Sequence, residues 1–397
     1  MEITARKGLE SLIPKLETMV ADILQERRDL DLVVPSDFST IIEYNTGEGS
    51  AAEAMSSPQG SSIHINTVPL VMPKLNKKEL KIAQGIMYYI TTCQDLMGGS
   101  REEAVMGFIE NPKGMFERYE SAFEEAKKEN RGPGLEGVKE FLAQRGRTYD
   151  DYKSFIIKKA PKARRYLKRM ASIIGEKIDN AGLDELRHEM DHVAIFESPM
   201  FGQLYRKNRE VNNLLNNFMS NRSKENSQKL GRAKMQELKL IAGENPISEI
   251  KAFFFNYIPM GKWKEADFDK VRAMVLERYL RSYVGGNQVE SIVESLVARK
   301  WAQGQMDRQT SNYIFRAATE RIGSVAAERY VVELKDVDYK IAAQVLYKEL
   351  PEWQARFARN AQRAVEVIGN AYKEDPSRLK RANQARTAEE FLELAAA

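Results

Sequence analysis

The chain has 397 residues, of which 43% are hydrophobic and 30% charged, and 61 Lys and Arg against 57 Asp and Glu give it a net charge of +4. This composition is typical of a globular protein, and no apolar run approaches the roughly 20 residues that a membrane-spanning helix needs. The single cysteine, Cys93, excludes an internal disulfide and a cysteine-based zinc or iron–sulfur site.

Apolar residues at three- and four-residue steps dominate the chain and predict a mainly α protein with two helical lobes, a small N-terminal β-hairpin and a C-terminal arm. The N-terminus has no apolar segment typical of a secretory signal. The expected segments are an N-terminal helix (1–36), a β-hairpin with a flexible loop (37–75), N-lobe helices (76–131), a linker (132–137), a basic central helical region (138–242), C-lobe helices (246–370) and the arm (371–397).

Two stretches near the N-terminus predict the hairpin. Residues 38–44 and 62–68 partly alternate apolar with polar side chains, which indicates strands. Residues 46–61 between them are rich in Gly, Ser and Ala, so we expect a long flexible loop there. Further along, 242–246 (Ala-Gly-Glu-Asn-Pro) predicts the end of a helix.

Positive charge is concentrated in the middle third. Residues 151–170 carry eight basic and one acidic residue, a net charge of +7, and residues 205–240 carry a net +6, so the rest of the chain sums to −9. With Pro161 in an early helical turn, Lys158, Lys162, Arg165 and Arg169 fall on one face and the opposite face is apolar. A positive face backed by a core-facing stripe is typical of a surface that follows a phosphate backbone. An ordinary solvated helix face is the alternative, although such faces usually mix both signs.

Aromatic residues accompany other cations, as in 205–209, 262–264, 299–301 and 313–316. Single-stranded nucleic acids bind such mixtures because cations contact phosphates while rings stack on bases. Each ring could equally belong to the core. The expected RNA-binding residues are Lys158, Lys159, Lys162, Arg164, Arg165, Lys168, Arg169, Arg206, Lys207, Arg209, Arg222, Lys224, Lys229, Arg232, Lys234, Trp263, Trp301 and Arg316.

A zinc-peptidase motif, His-Glu-x-x-His, occupies residues 188–192. On a helix it places two imidazoles one turn apart, with Glu189 as the general base. The motif departs from the peptidase pattern because Asp191 is charged at a position that is normally uncharged. At the usual spacings for a third ligand the chain has Val211 and Asn212, and Glu210 is one residue away. Ile195 and Ser198 stand where the metzincin pattern needs Gly and His. No strand nearby predicts a substrate-binding edge. We therefore expect a solvated helix face with i,i+4 pairs, no metal, no cofactor and no catalytic residues.

Two further patterns carry no chemistry. Residues 132–137 match the dinucleotide-binding glycine fingerprint but follow a helix, so we interpret them as a linker. At the C-terminus, Thr387 and Glu390 form a capping-box pattern before a short helix whose apolar residues are Phe391, Leu392 and Leu394. A helix this short must dock on something, either its own chain or a neighbouring copy, and we expect these three residues to serve oligomerisation.

The layout of a basic belt at 158–169, a second basic run at 222–234 and a tail at 372–397 resembles that of helical RNA-virus nucleoproteins and filament-forming capsid proteins. The resemblance implies non-catalytic packaging of single-stranded RNA by a self-assembling homo-oligomer. It also implies a viral polymerase complex as a further partner, no membrane insertion, and a location in the virion and host cytoplasm. Two alternatives remain: a helical scaffold that uses its basic face for acidic proteins or membrane surfaces, and a zinc metallopeptidase.

Overall fold

The computed structural model describes residues 2–6, 8–44, 52–57, 60–97, 102–129, 134–143, 148–177, 180–221, 223–258, 262–319 and 334–397. The protein is mainly α, as predicted, with one small sheet. None of the helices in these ranges is long and apolar enough to span a lipid bilayer. The chain forms two compact units: unit 1 comprises residues 1–22 and 36–189, and unit 2 comprises residues 23–35 and 190–397.

Unit 1 contains a four-stranded sheet with the strand order β1-β2-β4-β3. Its strands are β1 (Glu2–Ala5), β2 (Phe38–Glu43), β3 (Ala52–Ser57) and β4 (Gly60–Asn66). Strands β1, β2 and β4 are parallel, and β3 lies antiparallel to β4 at the edge. The predicted hairpin is therefore wrong in its pairing, since β2 and β4 run parallel and β4 takes its antiparallel partner from the segment predicted to be a loop. Residues 46–51, 58 and 59 of that segment lie outside the described residues.

Helices make up the rest of unit 1. They are the first part of α1 (Ile13–Asp29), α2 (Thr67–Val71), α3 (Lys77–Met97), α4 (Glu102–Glu110), α5 (Pro112–Lys128), α6 (Gly134–Ala143), α7 (Tyr149–Lys177) and most of α8 (Asn180–Phe196). Helix α7 packs on α3 and α4 through its apolar stripe, as predicted. Pro161 lies in the interior of α7 and not in an early turn, because the helix begins at Tyr149. Residues 134–137, expected to be part of a linker, form the first turn of α6.

Unit 2 is built around a long helix. Its elements after α8 are α9 (Pro199–Ser220), α10 (Lys224–Tyr257), α11 (Phe268–Tyr279), α12 (Gln288–Ala302), α13 (Arg308–Thr319), α14 (Tyr339–Gln344), α15 (Leu350–Glu374), α16 (Ser377–Ala382) and α17 (Ala388–Ala396), with π-helical turns at 280–287 and 345–349. Helix α10 contacts α9, α11, α12, α15 and α17.

Helix α10 continues through Pro246, so the prediction that a helix ends at 242–246 is wrong. Pro246 has no N–H to donate to the carbonyl of Ala242, which is the usual reason for a helix to break. Asn360 on α15 supplies the missing donor, with its Nδ2 at 2.7 Å from Ala242 O. A side chain from a distant part of the sequence therefore keeps the helix unbroken.

The C-terminal helix packs within its own unit. Phe391 and Leu392 are buried, and α17 contacts α10, α15 and α16. The expected role of these two residues in oligomerisation is corrected here, since their side chains already cover the core of unit 2. Leu394 remains 36% exposed.

Candidate metal centre

Helix α8, which carries His-Glu-x-x-His, is buried. Arg187, His188, Glu189 and Asp191 are each at most 8% exposed, and the apolar residues on the same helix, Leu186, Met190, Val193, Ala194 and Ile195, are buried as well. The interpretation of this segment as a solvated helix face is therefore wrong. Charged side chains are almost never fully buried unless they have partners, so each one in α8 calls for an explanation.

Two cations of unit 2 compensate the charge of the buried Asp191. Its Oδ1 accepts a 2.8 Å hydrogen bond from Arg27 Nη1 and lies 3.3 Å from Lys251 Nζ, and all three side chains are almost completely buried. Burial raises the pKa of Asp191, but Lys251 and Arg27 together lower it below its ordinary value. Burial likewise lowers the pKa of Lys251, against the opposing effect of Asp191. The negative charge of Asp191, at the second variable position of the motif, thus has a structural role in the core.

His192 faces a carboxylate on α10. Its Nδ1 lies 2.8 Å from Ser248 Oγ and its Nε2 lies 3.4 Å from Glu249 Oε2. When the ring donates Nδ1–H to Ser248, Nε2 presents a lone pair to a carboxylate oxygen, which is an arrangement that a cation between the two atoms stabilises. Metal-bound histidines are usually oriented in this way by a hydrogen bond from the other ring nitrogen.

His188 completes a set of three possible ligands. It lies one turn before His192 on α8, and one ligand atom each from His188, His192 and Glu249 lie within 4.8 Å of one another. Two ligands on a tetrahedral zinc ion, each about 2.0–2.1 Å from it, are separated by about 3.3 Å. The observed 3.4 Å between His192 Nε2 and Glu249 Oε2 fits this value, and two imidazoles with one carboxylate are a donor set that zinc accepts.

Glu189, the expected general base, contacts the edge strand of the sheet in unit 1. Its Oε2 accepts a 2.6 Å hydrogen bond from the backbone N–H of Ala54 on β3. Among the described strands β3 lies at the edge of the sheet, with β4 as its neighbour. This edge strand could not be predicted, because the segment that forms β3 has none of the β-branched residues that indicate strands.

Reasoning from the sequence missed Glu249 as a third ligand. It follows His192 by more than 50 residues, well outside the spacings at which a third ligand was sought. The one local signal is its position in Ile-Ser-Glu-Ile-Lys, where an acid stands among residues that turn out to be buried.

The predicted basic face of α7 is present in unit 1. Lys158, Lys159, Lys162, Arg164, Arg165, Lys168 and Arg169 are all exposed, while Ala160, Ala163, Leu167 and Met170 on the other side are buried. No ion pair joins Lys158, Lys162 or Arg165 to any residue that the structure describes. Arg164 differs from the others, because its Nη2 donates to the carbonyls of Ile109 and Glu110 and so helps to hold α4.

An aromatic cavity of about 170 Å³ adjoins this face. It is lined by Tyr88, Tyr89, Phe155 and Tyr166 together with Lys159 and Lys162. Tyr88 is 62% exposed and meets Phe155 edge to face, with 5.5 Å between the ring centroids. Lys162 Nζ lies 5.2 Å from the centroid of the Tyr166 ring. The mixture of rings and cations predicted from the sequence therefore occurs in unit 1, although with rings other than those expected.

The expected basic residues of unit 2 are more dispersed. Arg206, Arg209, Lys224, Lys229, Arg232 and Arg316 are exposed, and Lys207 and Lys234 are half-buried. Several are paired with acids, since Lys207 contacts Glu210, Lys229 contacts Glu225, and Lys234 contacts both Glu237 and Glu294. Trp301 lines an apolar cavity with Leu215 and Phe218. Arg222 and the side chain of Trp263 lie outside the described residues.

Comparisons with known proteins found no match, so a function has to be argued from the residues themselves. No family model matches the chain, and neither does any curated protein or solved structure.

Proposed function

We propose that this protein is a zinc-dependent hydrolase that cleaves peptide bonds, with the metal held by His188, His192 and Glu249. The observation that carries the proposal is the convergence of these three ligand atoms. The 3.4 Å contact of His192 Nε2 with Glu249 Oε2 and the Ser248 contact behind the imidazole add to it. A bound zinc ion would supply Lewis acidity and lower the pKa of a water molecule.

Glu189 is the proposed general base. It directly follows one ligand, His188, in the chain, and its carboxylate is held at the outer edge of β3 by Ala54. Hydrolysis adds water across the C–N bond: the water oxygen bonds to the carbonyl carbon, its proton passes to Glu189, and the departing nitrogen receives that proton as the bond breaks.

The His-Glu-x-x-His motif supports a peptide as the substrate class. This spacing, with two histidines one helical turn apart and a glutamate between them as the general base, is typical of zinc metalloproteases.

Metal content and activity test the proposal. The full chain is purified without chelators, supplied with zinc, and assayed by mass spectrometry of its metal and by cleavage of unfolded casein. We expect one zinc per chain, loss of zinc in His192→Ala and Glu249→Ala, and retention of zinc without cleavage in Glu189→Gln. His64→Ala is the matched control, since His64 instead contacts Glu43 and Ser62, and it should keep both properties. Zinc below one tenth of an equivalent in the wild-type protein, or equal zinc in Glu249→Ala, would contradict the proposal.

A second candidate function is binding of single-stranded RNA by unit 1. It is supported by the exposed cations of α7 next to the cavity lined by Tyr88, Phe155 and Tyr166. Cations that contact phosphates and rings that stack on bases are the two components of such sites. Binding would be non-catalytic and would weaken steeply with salt, because each phosphate contact releases counterions.

Charge reversal in two matched sets tests this second function. The first set is Lys158→Glu, Lys162→Glu, Arg165→Glu and Arg169→Glu on α7, and the second is Arg206→Glu, Arg209→Glu, Lys224→Glu and Arg232→Glu in unit 2. We expect the first set to abolish binding of a fluorescent oligonucleotide and Tyr88→Ala to weaken it, with Tyr347→Ala as the control. Loss of binding in the second set alone would refute a site on α7. So would the absence of binding by the wild-type protein at 50 mM salt.

A further inference from the structure

A second cavity lies wholly within unit 2, between α10, α15 and the start of α17. It has a volume of about 300 Å³, far above the roughly 10–15 Å³ that one water molecule needs. Its lining residues include Lys239, Glu244, Arg356, Arg363, Ala388 and Glu389. We call it the α17 cavity.

Glu244 is the most unusual residue of the α17 cavity. Its side chain is only 5% exposed, and its Oε2 has no hydrogen-bond partner among the residues that the structure describes. A buried polar atom without a partner costs about 1–3 kcal/mol, so its presence calls for a reason. A ligand in the cavity would provide the missing partner.

Three basic side chains line the same cavity. Lys239 on α10, together with Arg356 and Arg363 on α15, lines the cavity, and Glu389 on α17 is the only other acid among the lining residues. Glu389 is paired with Arg363 through two hydrogen bonds of 2.5 and 2.6 Å. Lys239 and Arg356 are therefore the cations left to attract an anion.

The first turn of α17 adds hydrogen-bond donors. Thr387 Oγ1 accepts from the N–H of Glu390, and the N–H groups of Ala388 and Glu389 before it have no acceptor within the helix. Backbone N–H groups at a helix N-terminus, together with the helix dipole, favour anions. Ala388 is also held close to α10, because a Cβ placed on Gly243 would lie 3.0 Å from its side chain.

We propose that the α17 cavity binds a tetrahedral oxyanion, with Lys239, Arg356 and the first turn of α17 as its positive partners and the Glu244 carboxyl group as a hydrogen-bond donor to it. This site goes beyond the proposed hydrolase and does not depend on it. Burial raises the pKa of Glu244 to about 8, so at neutral pH the group carries the proton that it would donate to the anion. The ligand is a free sulfate or phosphate ion or the same group at the end of an organic monoester.

Sulfate is the probe for the first experiment, because its charge stays constant between pH 6 and 10 and any pH dependence then reports on the protein. Binding to the full chain is measured by calorimetry at constant ionic strength, with chloride as the reference ion. We expect saturable binding that weakens by about tenfold or more between pH 6.5 and 9.5, as Glu244 loses its proton. Inorganic phosphate and O-phosphoserine, compared at pH 7, then distinguish a free ion from a monoester.

Variants assign the binding to this cavity. We expect Glu244→Gln to bind sulfate with little dependence on pH and Arg356→Gln to bind about tenfold more weakly than the wild-type protein. Arg359→Gln is the matched control, since Arg359 lies on the same helix outside the cavity, and it should bind like the wild-type protein. No saturation below 50 mM sulfate, or equal losses in Arg356→Gln and Arg359→Gln, would overturn the proposal. Circular dichroism verifies that each variant is folded, and Arg356→Gln decides the matter if Glu244→Gln does not fold.

Discussion

Arg27 and Asp191 are 164 positions apart in the sequence, yet Arg27 Nη1 donates a 2.8 Å hydrogen bond to Asp191 Oδ1 with both side chains fully buried. Arg27 also donates from Nε to the carbonyl of Val33 at 2.6 Å and lies 4.9 Å from the centroid of the Phe255 ring. The ion pair therefore joins segments of unit 2 that are remote in the chain.

Removing the negative charge of this pair should destabilise the protein strongly. In Asp191→Asn the cations Arg27 and Lys251 remain buried without a counter-charge, and breaking a buried pair in this way costs about 3–5 kcal/mol. We expect a correspondingly lower urea midpoint at pH 7. Asp269→Asn is the control because Asp269 pairs with Arg272 at the surface, and its midpoint should stay close to that of the wild-type protein. Equal midpoints for the two variants would contradict this account.

Ser248 should tune zinc affinity without providing a ligand. Its Oγ lies 2.8 Å from His192 Nδ1 and fixes the ring so that Nε2 faces Glu249. Loss of such an outer contact typically costs about 10–100-fold in metal affinity. We expect Ser248→Ala to hold one zinc at saturation but with a dissociation constant raised by about this factor, measured by competition with a chromogenic chelator. Ser248→Thr, which keeps the hydroxyl, should restore most of the affinity. Unchanged affinity in Ser248→Ala would remove the proposed role of this contact.

Glu244 should make the stability of the protein fall as the pH rises. Its pKa is about 8 in the folded state because of burial, and near the ordinary value of 4.5 when unfolded, so the folded state binds the extra proton between these values. The contribution of Glu244 to stability is therefore fully present below about pH 4.5 and is lost as the pH rises through 8. Glu244→Gln should exceed the wild-type stability at pH 9 by several kcal/mol, on the order of 3–5, and by little at pH 5. If the difference in stability between Glu244→Gln and the wild-type protein were the same at the two pH values, the carboxyl group would not be buried as described.

The C-terminal helix should contribute to stability in its own chain. Phe391 is buried on α10, α15 and α16, so Phe391→Ala should cost about 3–5 kcal/mol in the free energy of unfolding. Leu394→Ala is the matched control, with a much smaller expected loss because Leu394 is 36% exposed. Light scattering on the same samples measures assembly. A Phe391→Ala variant with native stability that dissociates from larger assemblies would instead support the oligomerisation role.

Cys93 should be inert in the folded protein. It is completely buried on α3, and burial raises the pKa of its thiol to about 12, so almost no thiolate is present at pH 8. Because the thiolate is the reactive form, we expect a chromogenic disulfide reagent to label the protein only at the rate of unfolding. Rapid labelling of the folded protein at pH 8 would be inconsistent with this burial.

The helices could be predicted from the sequence because their signal is local. The apolar stripe of α7 and its basic face are both properties of residues three or four apart, and both were predicted correctly. The pairing of the sheet was not predictable in the same way, since a strand such as β3, with the sequence Ala-Glu-Ala-Met-Ser-Ser, is defined by its neighbour β4 more than by its own residues.

The same distinction explains which residues of the candidate metal centre could be predicted. His188 and His192 are one helical turn apart, so their spacing identifies them, whereas Glu249 joins them only through contacts between residues that are distant in the sequence. In the sequence Asp191 argues against a zinc-peptidase motif because that position is normally uncharged, and its burial could not be predicted. Its partners, Arg27 and Lys251, come from two other segments that no local pattern connects to it.

Synthesis from the N-terminus imposes an order on these contacts. Unit 2 takes residues 23–35 from the beginning of the chain and residues 190–397 from its end. At about 5–20 residues per second, a ribosome that has made Arg27 adds the 164 residues up to Asp191 over roughly 8–30 seconds. During that interval the nascent chain carries a guanidinium group whose permanent counter-ion does not yet exist. The buried pair can therefore form only after residue 191 has been made, and fragments that end before it lack the counter-ion of Arg27.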